Sequence, residues 1–294
     1  MIKIQYVLYL LLLLMTFVSL YVSLFASLSF SQVVTNQSTV NSSIINGSIK
    51  NDSSVTVINA VGDINCSNHL DNQIKKDNPD ILIVLGDLCY KSDLRLFNST
   101  YGRFKEDNKL ACLIGNHDSK EDGSSKLLNK ARDYCEDHWY RKIANDTTLL
   151  IGLNTNGDTK LQTKWGQSLV TNGTLMKGIK NVMLMVHKPA HTPPESHHAV
   201  RNSTVEMISS LENNISKSIE VYEIAAHNHL MAESSNGRWF ISGGGGRSHH
   251  DATSSQEWPF VNTKNYGYLQ IRINNTDGKV LGTNFYGLYG KLIH

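Results

Sequence analysis

Apolar runs that end in metal-ligating side chains recur five times along this chain, and that recurrence constrains the fold more than any other feature. Val55 to Val61 leads to Asp63, and Ile81 to Leu85 leads to Asp87 and Tyr90. Leu110 to Ile114 leads to Asn116, His117 and Asp118, Val182 to Val186 to His187, and Glu220 to Ala226 to His227 and His229. Short apolar runs bounded by Gly, Asp or Asn read as buried strands. One Asp or Asn at a strand end is ordinarily a turn residue. Repeated at five strand ends, the pattern has a different meaning, because in open α/β sheets the carboxyl ends of the strands converge on one crevice.

Between these strands lie helical patterns, expected at Asn68 to Lys76, Ser124 to Trp139, Gln162 to Val170 and Thr204 to Asn214. Further strands are expected at Thr148 to Leu153, Arg238 to Ser242, Tyr266 to Ile273 and Val280 to Phe285. Alternation of this kind builds parallel sheets with right-handed crossovers. The hairpin-like strands that close the chain predict a second sheet, or a sheet edge, packed on the first.

Carboxylate, amide, phenol and imidazole form a hard-to-borderline ligand set, suited to Fe, Mn or Zn and poorly suited to Ca. Such a set, scattered over several strand ends, points to a two-metal hydrolase. Formal charge is only +2, from 28 Lys and Arg against 26 Asp and Glu, and no dense basic stripe offers a nucleic-acid surface. The run Gly243 to Gly246 lacks the Gly-Lys-Ser/Thr ending of a nucleotide phosphate loop, and reads as a place where backbone passes close to the crevice.

The organisation expected along the chain has three parts. After Lys3, residues 1–31 carry an uncharged apolar stretch long enough to span a bilayer, so a cleaved signal peptide and an uncleaved signal anchor are both compatible with it. Either places the bulk of the chain outside the cytoplasm. Residues 32–54, rich in Ser, Thr and Asn, read as a tether, and 55–294 as the catalytic domain. Glycosylation sequons recur in both, at Asn36, Asn41, Asn46 and Asn51 and then at Asn65, Asn98, Asn145, Asn172, Asn202, Asn214 and Asn274. In an oxidising compartment Cys66, Cys89, Cys112 and Cys135 can form disulfides. Cys66 and Cys89 both lie just past strand ends and could pair, whereas Cys112 reads as a buried strand residue; the connectivity stays open.

Gly62-Asp63, Gly86-Asp87-Leu88-Cys89-Tyr90, Gly115-Asn116-His117-Asp118, His187 and Ala226-His227-Asn228-His229 together resemble the calcineurin-like metallophosphoesterase family, from about Val55 to the C-terminus. Two positions depart from its pattern. Ala226 replaces the usual Gly, and Asp63-Ile64-Asn65 lacks the usual first-motif His. The purple acid phosphatase branch also lacks that His and supplies a tyrosinate, which Tyr90 matches. A phenol of pKa about 10 ionises only beside a strongly acidic cation, which favours Fe(III). The competing reading packs Tyr90 at the rim and puts Asn65 near the metal or a water on it.

The resemblance implies an α/β fold of two packed sheets flanked by helices, in four αββα layers. It implies a first metal ion held by Asp63, Asp87, Tyr90 and His229, and a second, divalent ion (Zn, Mn or Fe) held by Asp87, Asn116, His187 and His227. Asp87 would bridge ions roughly 3.5–4 Å apart. The activity implied is hydrolysis of a small phosphate monoester by a metal-bound hydroxide, with a phosphodiesterase or nucleotidase as the enzymatic rival and a surface binding module as the non-enzymatic one. His117, beside Asp118, is the first candidate to protonate the leaving group, since histidine titrates in the useful range. His197 and His198 occupy the loop where that branch places substrate-contacting histidines. His191, His249 and His250 are weaker candidates, better explained as solvated loop residues.

Overall fold

The computed structural model describes residues 54–66, 68–90, 94–119 and 125–294. The N-terminal apolar segment and the tether, apart from Ser54, lie outside the described residues. Among the described residues no helix is long and apolar enough to cross a membrane.

Strand β1 (Val55–Val61), helix α1 (Asn68–Asp77), β2 (Ile81–Val84), α2 (Arg95–Glu106) and β3 (Leu110–Cys112) open the domain. Here β1, β2 and β3 run parallel, and β11 (Gly267–Asn274) and β12 (Val280–Gly287) add antiparallel partners in the order β12-β11-β1-β2-β3. Among the described residues the second sheet has seven strands, with β5 (Thr148–Leu153), β6 (Asn181–Val186), β7 (Glu220–Ala225) and β9 (Trp239–Ser242) parallel at its centre. Antiparallel β4 (His138–Ile143), β8 (Met231–Glu233) and β10 (Phe260–Asn262) complete its edges.

Strand periodicity divides the apolar residues into two sets. Ile58, Ala60, Ile81 and Ile83 from the first sheet meet Leu150, Met183, Met185 and Ile224 from the second in one core between the sheets. The alternate residues Leu82 and Val84 face outward, against Leu70 and Ile74 of α1 and Phe97, Tyr101 and Phe104 of α2. On the far side Leu149, Leu184 and Ala225 pack with Leu169 of α4 (Thr159–Val170) and with Met207 and Leu211 of α6 (Asn202–Asn214). The result is the expected four-layer arrangement of two sheets between helices.

One sequence expectation needs correction, and two helices have no counterpart among the expectations. The helix expected over Ser124 to Trp139 is a short α3 (Ser125–Ala131), and the chain then enters strand β4. From His138 to Ile143 burial alternates, with Trp139, Arg141 and Ile143 inward, so a period of two prevails over helix propensity. Trp139 Nε1 donates to the Cys112 carbonyl at 2.9 Å and lies against Gly152. Helix α2 went unread, although Phe97, Tyr101 and Phe104 recur at helical spacing; Asn98, Ser99, Thr100 and Gly102 dilute the signal. Short α5 (Gly173–Met176) was also unread, and Asn172 caps it by accepting from Thr174 N and Leu175 N.

One buried acid makes a stability prediction. Asp71 on α1 is 2% exposed, accepts a hydrogen bond from the Tyr101 hydroxyl at Oδ1, and among the described residues has no partner at Oδ2. Burial pushes its carboxyl up to about 6, against the opposing pull of Tyr101 and Lys75. A raised carboxyl pKa means that the folded state favours the proton, so stability is lost as pH rises from the unfolded value near 4 through about 6. Asp71→Asn keeps the acceptor for Tyr101 and removes the charge. It should stabilise the protein by about 1–3 kcal/mol at pH 7.5 and not at pH 4. Denaturant melts at both pH values check this, and a difference that does not grow with pH would contradict it.

Candidate metal centre

The seven candidate ligands gather at the carboxyl ends of β1, β2, β3, β6 and β7. Five of the seven sit in strained turns. Asp63, Asp87, Tyr90, His227 and His229 all have positive φ, between 28° and 69°, in the region that non-glycine residues rarely adopt. Strain concentrated at one place marks a functional site when surrounding contacts enforce it. Here they do: Asp63 N donates to Gly86 O, Ile64 N to Asp87 O, Asn65 N to Gly245 O, and Gly245 N to Gly62 O. A Cβ on Gly243 would stand 2.5 Å from Asp63 Oδ2, so the glycine run does let backbone pass beside the crevice.

Asp63, Tyr90 and His229 form one group. The Tyr90 hydroxyl lies 3.1 Å from Asp63 Oδ1 and 2.7 Å from His229 Nε2, and His229 Nε2 is 3.7 Å from Asp63 Oδ1. Asn116, His187 and His227 form a second group. His187 Nε2 lies 2.8 Å from Asn116 Oδ1, and the His187 and His227 rings are 5.0 Å apart. Asp87 stands between the groups: Oδ1 is 3.6 Å from His187 Nε2, while Asp63, Asp87 and His229 present ligand atoms within 4.8 Å of one another. Outer contacts fix the imidazoles, His187 Nδ1 to the Leu85 carbonyl at 2.8 Å and His229 Nδ1 to the Ser248 carbonyl at 2.8 Å, which leaves each Nε2 facing the crevice.

This donor set fits a pair of cations. Asp63 and Asp87 are 0% exposed, and Oδ2 of each is buried without a hydrogen-bond partner among the described residues. Two such carboxylates in a dry crevice are costly unless a cation neutralises them. Burial, then neighbouring Asp87, pushes the Asp63 carboxyl well above its ordinary range. Burial, then Asp63 and Asp87, pushes the Tyr90 phenol upward as well, so only a strongly acidic cation would deprotonate it. The imidazoles shift the other way, towards the neutral form that binds metal: His229 falls to about 3, and His187 and His227 are also lowered, chiefly by burial.

The remaining candidates take distinct places. His117 is exposed at the rim, its ring 4.8 Å from that of Tyr90 and its backbone N donating to Asp87 Oδ1 at 2.9 Å. Asp118 is 1% exposed and faces backbone: Asp87 N, Leu88 N and Gly115 N all donate to it at 2.8 Å. His198 stacks on His227 with ring centroids 4.1 Å apart, and His197 lies 4.6 Å from His198. His250, read from sequence as a solvated loop residue, joins them. It stacks on His229 at 3.9 Å, lies 4.2 Å from His197, and its buried Nδ1 has no partner among the described residues. Its only sequence signal was its place after the glycine run. His249 turns away to Asn265 and Tyr266, and His191 pairs with Glu223 and stacks on Trp239. The Arg247 guanidinium sits over the Tyr90 ring at 4.5 Å.

Cys66 bonds to Cys89 and Cys112 to Cys135. The first bridge ties the Asp63 turn to the turn that carries Asp87 and Tyr90, and so links two sources of ligands. The second ties the end of β3 to the segment after α3, which makes Cys112 more than a buried strand residue.

A family model described as calcineurin-like phosphoesterase matches residues 57–230. No curated protein matches the chain. Among solved structures, GAP50, the anchor in the inner membrane complex of Plasmodium, superposes with a TM-score of 0.54 at 12% identity, over 81% of this chain and 90% of that one. A putative 5'-nucleotidase from Staphylococcus aureus gives 0.45 at 11% identity, over 80% of this chain and 54% of that one. A phosphatase from Mycoplasma pneumoniae gives 0.35 at 9% identity, over 80% and 92%. The likeness to the Plasmodium protein speaks to the fold alone.

Proposed function

This chain belongs to the calcineurin-like phosphoesterase family, a family of metal-dependent hydrolases, and from that premise we propose that it hydrolyses small phosphate monoesters at a two-cation centre of the purple acid phosphatase type. One observation carries the reading: Asp87 stands between two groups of ligands while buried Oδ2 atoms of Asp63 and Asp87 lack partners.

Asp63, Tyr90 and His229 would hold Fe(III), and Asn116, His187 and His227 a divalent ion, with Asp87 shared. When bound, the pair supplies Lewis-acid stabilisation of phosphoryl oxygens and activation of a water nucleophile. The protein's own residues do the rest. His117, exposed and near Tyr90, would give a proton to the leaving oxygen. His197, His198 and His250, clustered beside His227 and His229, would offer ring N–H donors to the phosphoryl group. Asp118 does not shuttle protons in this scheme. Burial and Asp87 raise its carboxyl to about 7, but its oxygens are occupied by three backbone donors, so its part is to hold the Asp87 and Asn116 turns together.

The proposal includes export from the cytoplasm. It is supported by the apolar N-terminal segment, by two disulfides, and by sequons at Asn65, Asn98, Asn145, Asn172, Asn202 and Asn214, all on exposed residues. A non-catalytic binding module is the weaker reading, because a decayed site has no reason to keep two neighbouring carboxylates buried, each with an Oδ2 that has no partner among the described residues.

Metal quantitation with a visible spectrum tests the centre. About two ions per chain are expected, with a tyrosinate-to-iron band that disappears in Tyr90→Phe. A colourless but active enzyme would refute the iron assignment, and a metal-free protein that leaves aryl phosphates intact would refute hydrolysis. Faster turnover of an aryl diester than of the monoester would replace the phosphatase by a phosphodiesterase.

A further inference from the structure

Between two candidate metal ligands lies a residue whose side chain is engaged elsewhere. His227 and His229 both adopt positive φ, and between them the side chain of Asn228 turns into the loop that follows His187. Asn228 is 0% exposed, and its amide is fully engaged there. Oδ1 accepts from His198 N at 2.9 Å, while Nδ2 donates to the His198 carbonyl at 3.2 Å and to Thr192 Oγ1 at 3.1 Å. The amide thus pairs with both backbone groups of one residue, as a neighbouring strand would. Elsewhere the loop is fastened at Pro194, whose carbonyl accepts from Thr253 N, and at Glu195, which accepts from the Thr253 hydroxyl. Neither contact touches His198.

We propose that Asn228 is a positioning residue: it pins the His198 backbone to the turn that carries His227 and His229, so that the His198 ring lies over the centre in register with the ligands. The inference rests on the reading of His198 as a contact for the phosphoryl group. A single short amide does what a loop cannot do alone, since the loop has no ladder of its own and an orienting group must be held within a fraction of an ångström. The pairing also explains why Asn suits this place. Its side chain offers a donor and an acceptor in the fixed geometry of a peptide group.

The test uses the full metal-loaded chain. In Asn228→Ala the His198 amide should exchange with solvent about tenfold faster or more, as expected when a buried hydrogen bond is lost. Metal per chain should stay at the wild-type level, while inhibition by inorganic phosphate weakens about tenfold. On a His198→Ala background the same change should add less than about twofold, since the residue would act through His198. Asn228→Asp keeps the acceptor for His198 N and should keep that amide slow, which guards against a misfolded alanine variant. Unchanged exchange at His198, loss of metal with exchange unaltered, or fully additive losses of phosphate affinity would each overturn the proposal. A wild-type protein that binds neither metal nor phosphate would instead end the functional reading, and the exchange rates would still decide whether Asn228 pins the loop.

Discussion

Asp87→Asn is expected to lower kcat/KM by about 10³-fold or more, because in the proposed centre one carboxylate would serve both groups of ligands and even outer contacts of metal ligands are worth 10–100-fold. Asparagine is nearly the same size, so packing barely changes. Its Nδ2 protons, however, would point where a cation is required, and one negative charge would be gone from a set that needs several. Stability should move the other way. Asp87 is 0% exposed with Oδ2 unpartnered, and removing a buried, uncompensated charge relieves the metal-free fold. Metal quantitation, steady-state kinetics and thermal melts in chelator should therefore show lost metal, lost turnover and a raised Tm in one variant. A variant that keeps both ions and a tenth of wild-type activity would remove Asp87 from the bridging position.

The second large effect concerns backbone. A Cβ on Gly115 would lie 2.0 Å from Asp87 Oδ1 and 2.2 Å from Asp87 N, closer than real atoms approach. Asp87 cannot retreat: its N–H is held by Asp118 and its Oδ1 by His117 N. Gly115→Ala must then push apart the turns after β2 and β3, at a cost of about 1–3 kcal/mol and with loss of binding for both ions. Gly157→Ala is the control, since its nearest neighbour is the Asn154 amide at 3.4 Å and the position is exposed. Denaturant melts and metal content should separate the two variants, and a Gly115→Ala protein with wild-type values of both would show that the turns are not locked as described.

Most strands were legible because a buried strand is written locally: Ile81 to Leu85 and Val182 to Val186 are short apolar runs that stop at Gly or His. The helix expected up to Trp139 overran the start of β4, and the rest of that strand carried no expectation, because its buried face is carried by Trp139, Arg141 and Ile143 and only pairing with β5 against Gly152 makes that alternation a strand. Helix α2 was missed for a related reason, as polar and glycine residues interrupt an otherwise helical apolar face.

At the centre, the chain's own order of residues determined the kind of chemistry: carboxylate, amide, phenol and imidazole at successive strand ends, on strands that share a direction. That much is local, set by side-chain type and a period of two. The tertiary structure alone decided which histidines meet. His250 joins His197 and His198, His191 leaves for Glu223, Asp118 turns to backbone, and Asn228 reaches His198. These contacts join loops far apart in sequence, and their geometry depends on strand order, register and left-handed turns, none of which a single segment specifies.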